Sequence, residues 1–202
     1  MIVLGLVAIA AGAIAFQNSW WNDEDRPPSA DQVAPDGSSL FTQGGIDYFT
    51  REGVVIVKVR EDAPTADELG LDRDGSATIE ALVPLEVRFL GADGAFVLDL
   101  VDSLTLTTQT GTLTSVEELY WGNGNYRDVM NAVERFAPTV GWTDEDVDQM
   151  IDDLTASQGE STDGTYSALI AAGEAIGAQV SARITVDVDQ SVTTLHLIVE
   201  PL

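Results

Sequence analysis

The stretch Leu71-Asp72-Arg73-Asp74-Gly75-Ser76-Ala77-Thr78-Ile79-Glu80 sets oxygen donors around a glycine, the arrangement that calcium loops use to wrap a hard cation. Aligned on Gly75, Asp72 and Asp74 take the third and fifth positions of an EF-hand loop, but the first position is then Gly70 and the twelfth Ala81, so the bidentate acid is lost. Asp72, Asp74 and Glu80 are therefore the candidate Ca²⁺ ligands. The plainer reading, an Asp-Gly turn leading into a strand, is favoured over a bound ion, and no other cofactor is implied.

His196 is the only histidine, and it falls on the polar side of a terminal strand beside Thr185. A base with no evident nucleophile is a poor start for a triad, and no serine lies in a nucleophile-elbow pattern. Asp144, Asp148 and Asp152 recur at i, i+4 and i+8, which stacks like charges on one side of a helix and reads as a solvated face. Trp121-Gly122-Asn123-Gly124-Asn125 leads into a helix whose backbone N–H groups could hold an anion, yet Arg127 is the nearest cation and a glycine turn with an Asn cap accounts for the residues. A glycosidase pair could be drawn from so many acids, and for that reason no particular pair is informative.

Charge excludes more than these motifs establish. Against 34 Asp and Glu stand 9 Lys and Arg, for a net charge of -25, and Lys58 is the only lysine. Phosphate backbones and anionic headgroups need clustered cations, so nucleic acid is excluded as a partner and an anionic bilayer surface repels the bulk of the chain. In composition the chain resembles proteins of halophiles, whose acidic surfaces are screened by salt. The absence of Cys removes disulfides, thiol catalysis and Cys-ligated zinc.

The elements that would position these residues begin after an apolar run. Ile2 to Phe16 carries no charge and runs on into Trp20 and Trp21, rings that favour the headgroup level. Residues 1–21 are read as a retained membrane anchor with the rest of the chain extracytoplasmic; the alternative is a signal cleaved after Ala13-Ile14-Ala15, which would release a secreted domain. Residues 22–39 form an acidic, Pro-containing linker, and residues 40–202 one domain.

Within that domain, Gly44-Gly45 between two apolar pairs predicts a hairpin, and Gly53 to Arg60 a central strand. Leu85, Val87 and Phe89, then Phe96, Leu98 and Leu100, alternate on either side of a turn at Gly91–Gly94, with Pro84 at a strand start or edge. Leu104 to Thr110 reads as a further strand. Three helices follow: Tyr126 to Phe136, ended by Pro138; one capped by Thr143 that carries Val147, Met150, Ile151 and Leu154; and one through Tyr166, Leu169, Ile170 and Ile176, with Gly173 on its stripe. A terminal hairpin closes the chain, with a turn at Gln190-Ser191 pairing Val186 with Leu195, Ile184 with Leu197 and Ala182 with Val199.

The expected fold is α+β: a mostly antiparallel sheet of meanders and hairpins, with three consecutive helices inserted before a C-terminal β-hairpin. The expected function is a non-enzymatic, membrane-anchored extracytoplasmic interaction module, with a protein partner or self-association. A structural component of a cell-surface or virion assembly is the alternative, and a carboxylate- or Ca²⁺-dependent hydrolase comes third.

Overall fold

The computed structural model describes residues 27–59 and 63–202. The expected membrane segment, residues 1–21, the first residues of the linker and Arg60 lie outside them. No helix among the described residues is long and apolar enough to cross a membrane.

The chain is α+β with the sheet dominant. Helix α1 (Gln43–Glu52) precedes strand β1 (Val54–Lys58) and the single turn α2 (Ala66–Leu69). Strands β2 (Gly75–Leu90), β3 (Ala95–Gln109) and β4 (Thr112–Gly124) form a meander. Helices α3 (Tyr126–Val140) and α4 (Asp144–Glu160) come next, and β5 (Thr165–Ala175), β6 (Ala178–Asp187) and β7 (Val192–Pro201) complete a seven-stranded sheet in the order β1-β2-β3-β4-β7-β6-β5. All pairings are antiparallel except β1 with β2.

Three expectations about elements are corrected. The Gly44-Gly45 hairpin is the first turn of α1, capped by Thr42, whose hydroxyl accepts from the Gly45 N–H at 3.1 Å. Gly45 serves close approach here, not a reversal: a Cβ on it would lie 2.0 Å from the Leu40 carbonyl oxygen. The third helix is strand β5, whose Ala168 and Ile170 alternate into the core. Its Gly173 passes against the end of α3, where a Cβ would lie 2.3 Å from the Val140 carbonyl oxygen. The run GVVIVKVR yields an edge strand, with Val55, Val57 and Val59 buried and their alternates half-buried.

The two edges of the sheet are occupied by side groups. On the outer side of β1, Ser39 N–H donates to the Ile56 carbonyl and Ile56 N–H donates to Ser39 Oγ, both at 2.9 Å, so the end of the linker is packed against the sheet. On the outer side of β5, Ser167 N–H reaches Ser157 Oγ of α4 at 3.4 Å and Ser161 Oγ donates to the Thr165 carbonyl at 2.9 Å. Bare strand edges invite pairing with other chains; these contacts blunt β1 and β5, while β2 before Glu86 has a strand neighbour on the β3 side alone.

The helices follow their caps. Asn125 accepts from Asp128 N–H at 3.0 Å, and Thr143 forms a reciprocal capping box with Asp146, as the pattern of acids suggests. Helix α3 runs through Pro138 to Val140 before Gly141 closes it with φ 79°, two residues beyond the expected stop. Trp142, buried at the α3–α4 corner, fixes that corner to the sheet by donating its indole N–H to the Val180 carbonyl at 2.8 Å.

In the terminal hairpin the faces are as expected and the register is not. Val188 to Ser191 form a four-residue loop, so Ile184 pairs with Leu195 and Ala182 with Leu197, two residues away from the expected pairing. A shift of two leaves every side chain on its own face, because the pleat repeats every two residues.

Candidate functional site

Strand β4 escapes the periodic reading altogether, and it carries the most unusual side chain of the fold. Thr114 bulges where Thr107 pairs with Ser115 and Thr108 with Leu113, so the apolar spacing breaks at Leu113 and Val116. The next inward position is Glu118. Register places it in the middle of an apolar row across six strands, Ile79–Leu104–Glu118–Leu197–Ala182–Ile170. It has no exposed surface, and neither carboxyl oxygen has a hydrogen-bond partner. Burial alone pushes its pKa well above the ordinary glutamate value, since the charged form would sit in low dielectric without a counter-ion. The neutral acid is thus favoured on the face over which α3 packs, where Phe136 meets Tyr120 edge to face at 4.9 Å. Of its polar neighbours, Tyr120 lies two positions along β4 on the same face, and Arg135 of α3 donates to its hydroxyl at 2.6 Å.

One residue earlier the strand presents Glu117 to the opposite face. Its Oε1 accepts from Arg183 Nη1 at 3.2 Å and lies 3.1 Å from His196 Nδ1. The two-residue shift of the hairpin places Arg183, not Thr185, opposite His196. A carboxylate on Nδ1 orients an imidazole as acid–base dyads require. Among the described residues, however, no Ser or Thr hydroxyl hydrogen-bonds to His196, and Arg183 shares the same carboxylate oxygen. Burial lowers the His196 pKa; Glu117 raises it and Arg183 lowers it, with burial prevailing. Farther along this face Thr78 and Thr105 hydroxyls meet at 3.0 Å, and Ser76 and Thr107 at 3.1 Å, a solvated hydroxyl ladder.

The candidate calcium residues do not converge. Asp74 caps the β3–β4 turn, its Oδ1 accepting from the Thr110 N–H at 2.5 Å, and the Asp72 carbonyl accepts from Thr108 Oγ1 at 2.8 Å. Glu80 lies five residues along β2 from Gly75, which at the strand rise of about 3.3 Å per residue is roughly 17 Å away. No group of three or more His, Asp or Glu able to hold a metal gathers among the described residues. The acids at Asp144, Asp148 and Asp152 are dispersed along α4, and Asn125 acts as the helix cap.

An open cleft of about 770 Å³ lies between the linker and α2, lined by Asp36, Lys58, Asp67 and Glu68 among others. Asp36, Lys58 and Glu68 are engaged structurally. The Lys58 ammonium, paired with Asp36, and the Ser38 hydroxyl hold the Asp36 carboxyl well below the usual carboxylate range, and Glu68 closes the capping box of Thr65.

A different feature stands out on the surface of β2. Glu80 pairs with Ser103 and Leu85 with Val101, so the four residues Ala81 to Pro84 face only Asp102. Pro84, expected at a strand start or edge, sits inside this bulge on the stretch of β2 that β1 does not reach, since β1 pairs only with Glu86 to Leu90; the position is an edge one, where a missing N–H costs no ladder bond. Leu82 is 95% exposed and Val83 66%. On β3, between the pairs Leu85–Val101 and Val87–Leu98, Leu100 takes φ 65° and is 58% exposed. A branched side chain in the left-handed region is strained, and here the strain coincides with exposed apolar surface.

No family model matches the chain, and no curated protein or solved structure matches it significantly.

Proposed function

We propose that the domain is a non-enzymatic interaction module that docks a protein partner on the double bulge of β2 and β3, held outside a membrane by residues 1–21. The observation that carries this reading is the exposed trio Leu82, Val83 and Leu100 beside Pro84, at a place where both strands leave regular pairing. Bulges commonly re-aim side chains at functional positions, and large apolar side chains gathered in solvent mark contact surfaces. The contacts at Ser39 and Ser157 weigh against strand addition at β1 and β5. The membrane placement rests on the apolar run and its two tryptophans.

The test is site-directed photo-cross-linking of the full chain in its native membranes, with the photoreactive residue at position 82 and a control at exposed Glu160. A discrete adduct from position 82, absent from the control and abolished by Leu100→Ser, is expected. An adduct of twice the chain's mass would instead establish self-assembly, and identical patterns from both positions would refute the docking surface.

A further inference from the structure

We infer that the partner presents an apolar pocket edged by lysine or arginine. This rests on the docking reading above and adds the chemistry of what docks. The bulge is set among acids: Glu80 immediately precedes it on β2 and Glu86 follows, while Asp99 and Asp102 flank Leu100 and Val101 on β3. Glu86 is engaged by Arg88. Glu80 and Asp99 are exposed and make no ion pair among the described residues. A ligand that covers Leu82, Val83 and Leu100 therefore brings its rim close to two exposed carboxylates, Glu80 and Asp99, that make no ion pair among the described residues.

The alternatives differ in what they would bring to that rim. A second copy would present the same carboxylates on a chain of net charge -25, so like charges would meet at the contact. An anionic bilayer would meet the same repulsion, and apolar insertion would place Glu80 and Asp99 at the headgroups. A cationic rim reverses the sign: it pairs the two acids, and the field of the whole domain draws the partner in, which acts mainly on the association rate and fades with salt. The apolar tip supplies the desolvated centre and the acids supply orientation, the usual division between the core and rim of an interface.

The experiment uses the full chain and two fluorescent peptides of one sequence pattern, pairing tryptophan and leucine with lysine in the first and with glutamate in the second. Fluorescence anisotropy at low and high NaCl should show the lysine peptide binding about tenfold or more tightly than its counterpart, with the difference shrinking as salt rises. Leu82→Ser with Val83→Ser should weaken the lysine peptide about tenfold, and Glu80→Gln with Asp99→Asn should remove the preference for lysine over glutamate. All four positions are exposed, so unchanged thermal melting verifies the fold; Val83→Ser alone serves if the double variant melts early. If the serine variant binds as tightly as the parent, attraction to the general charge explains the binding and the docking surface itself is wrong. If the serine variant loses binding while the amide variant keeps the full preference for lysine, the bulge stands and the cationic rim is wrong.

Discussion

Glu117 and Glu118 are neighbours in sequence and share no environment. Strand parity turns Glu117 to a half-exposed face, where an arginine and a histidine meet its carboxylate, and turns Glu118 into an apolar row with no partner at all. The lesson is that a glutamate's charge state is set by the pleat. The first stays in contact with counter-charges and water, and the second is pushed toward its neutral form by burial with no hydrogen-bond partner on either oxygen. The titrating groups of the two faces, Glu118 on one and His196 on the other, act on folding in opposite directions with pH. The acid of raised pKa binds a proton more tightly when folded, so stability is lost as pH rises from the ordinary glutamate value of 4.5 toward the folded-state value. The histidine of lowered pKa binds its proton less tightly when folded, so stability is lost as pH falls below 6.5. Between those limits the two faces of one sheet oppose each other.

The largest effect that tests this contrast is on packing. Leu197 flanks Glu118 in the apolar row and is 1% exposed, while His196 is next to it in sequence on the other face. Leu197→Ala should cost about 2–5 kcal/mol in chemical denaturation and His196→Ala well under half of that. A larger loss from the histidine substitution would mean that the two faces are assigned the wrong way round.

Next comes the partnerless acid itself. Glu118→Leu should stabilise the domain by about 1–3 kcal/mol at neutral pH, because it removes a buried polar group with no hydrogen bond. Glu118→Gln keeps the polarity but removes the proton equilibrium. It should abolish the decline in stability above pH 4.5, up to ~1.4 kcal/mol per pH unit, that is expected of the parent. Infrared difference spectra should contain the carbonyl stretch of a neutral, unbonded carboxylic acid at neutral pH, missing from the glutamine variant. An ionised carboxylate there, or a loss of stability in the leucine variant, would overturn the account of Glu118.

The smallest effect belongs to the exposed pair. Glu117→Gln should cost only about 0.2–1 kcal/mol, as its partners are partly solvated, yet it should move the His196 imidazole to a still lower pKa, because the group that raises it is gone. Proton NMR of the single histidine reads this directly. An unchanged titration would show that Glu117 and His196 do not interact in solution.

What the sequence makes legible depends on whether one local pattern has one meaning. Thr143 and Asn125 are read correctly as caps because each satisfies helix N–H groups three residues on, a purely local bond. The faces of the terminal hairpin are legible because alternation fixes parity, whereas its register depends on a four-residue loop held by Asp187 and Ser191, which no apolar pattern reports. Gly44-Gly45 and Gly173 mislead because a glycine's reason lies across the fold, in the carbonyls of Leu40 and Val140. Strand β4 stays hidden because its bulge at Thr114 and its inward Glu118 each interrupt the alternation. The double bulge leaves Pro84 as its only local sign, since exposure of Leu82 and Leu100 follows from the pairing of two strands.

The strand order has a consequence in time. Strand β4 lies at the middle of the sheet, and its second neighbour is β7, the last strand of the chain: Val116 must wait for Val199. Until then the β2–β3–β4 meander has an open inner edge, the kind of surface on which slow-folding sheets aggregate. A glutamate at that edge carries its charge for as long as water reaches it and surrenders it only when β7 docks. On this strand order a charged Glu118 would serve the unfinished sheet as gatekeeper residues do, and its unpartnered burial in the native core would be the cost of that protection.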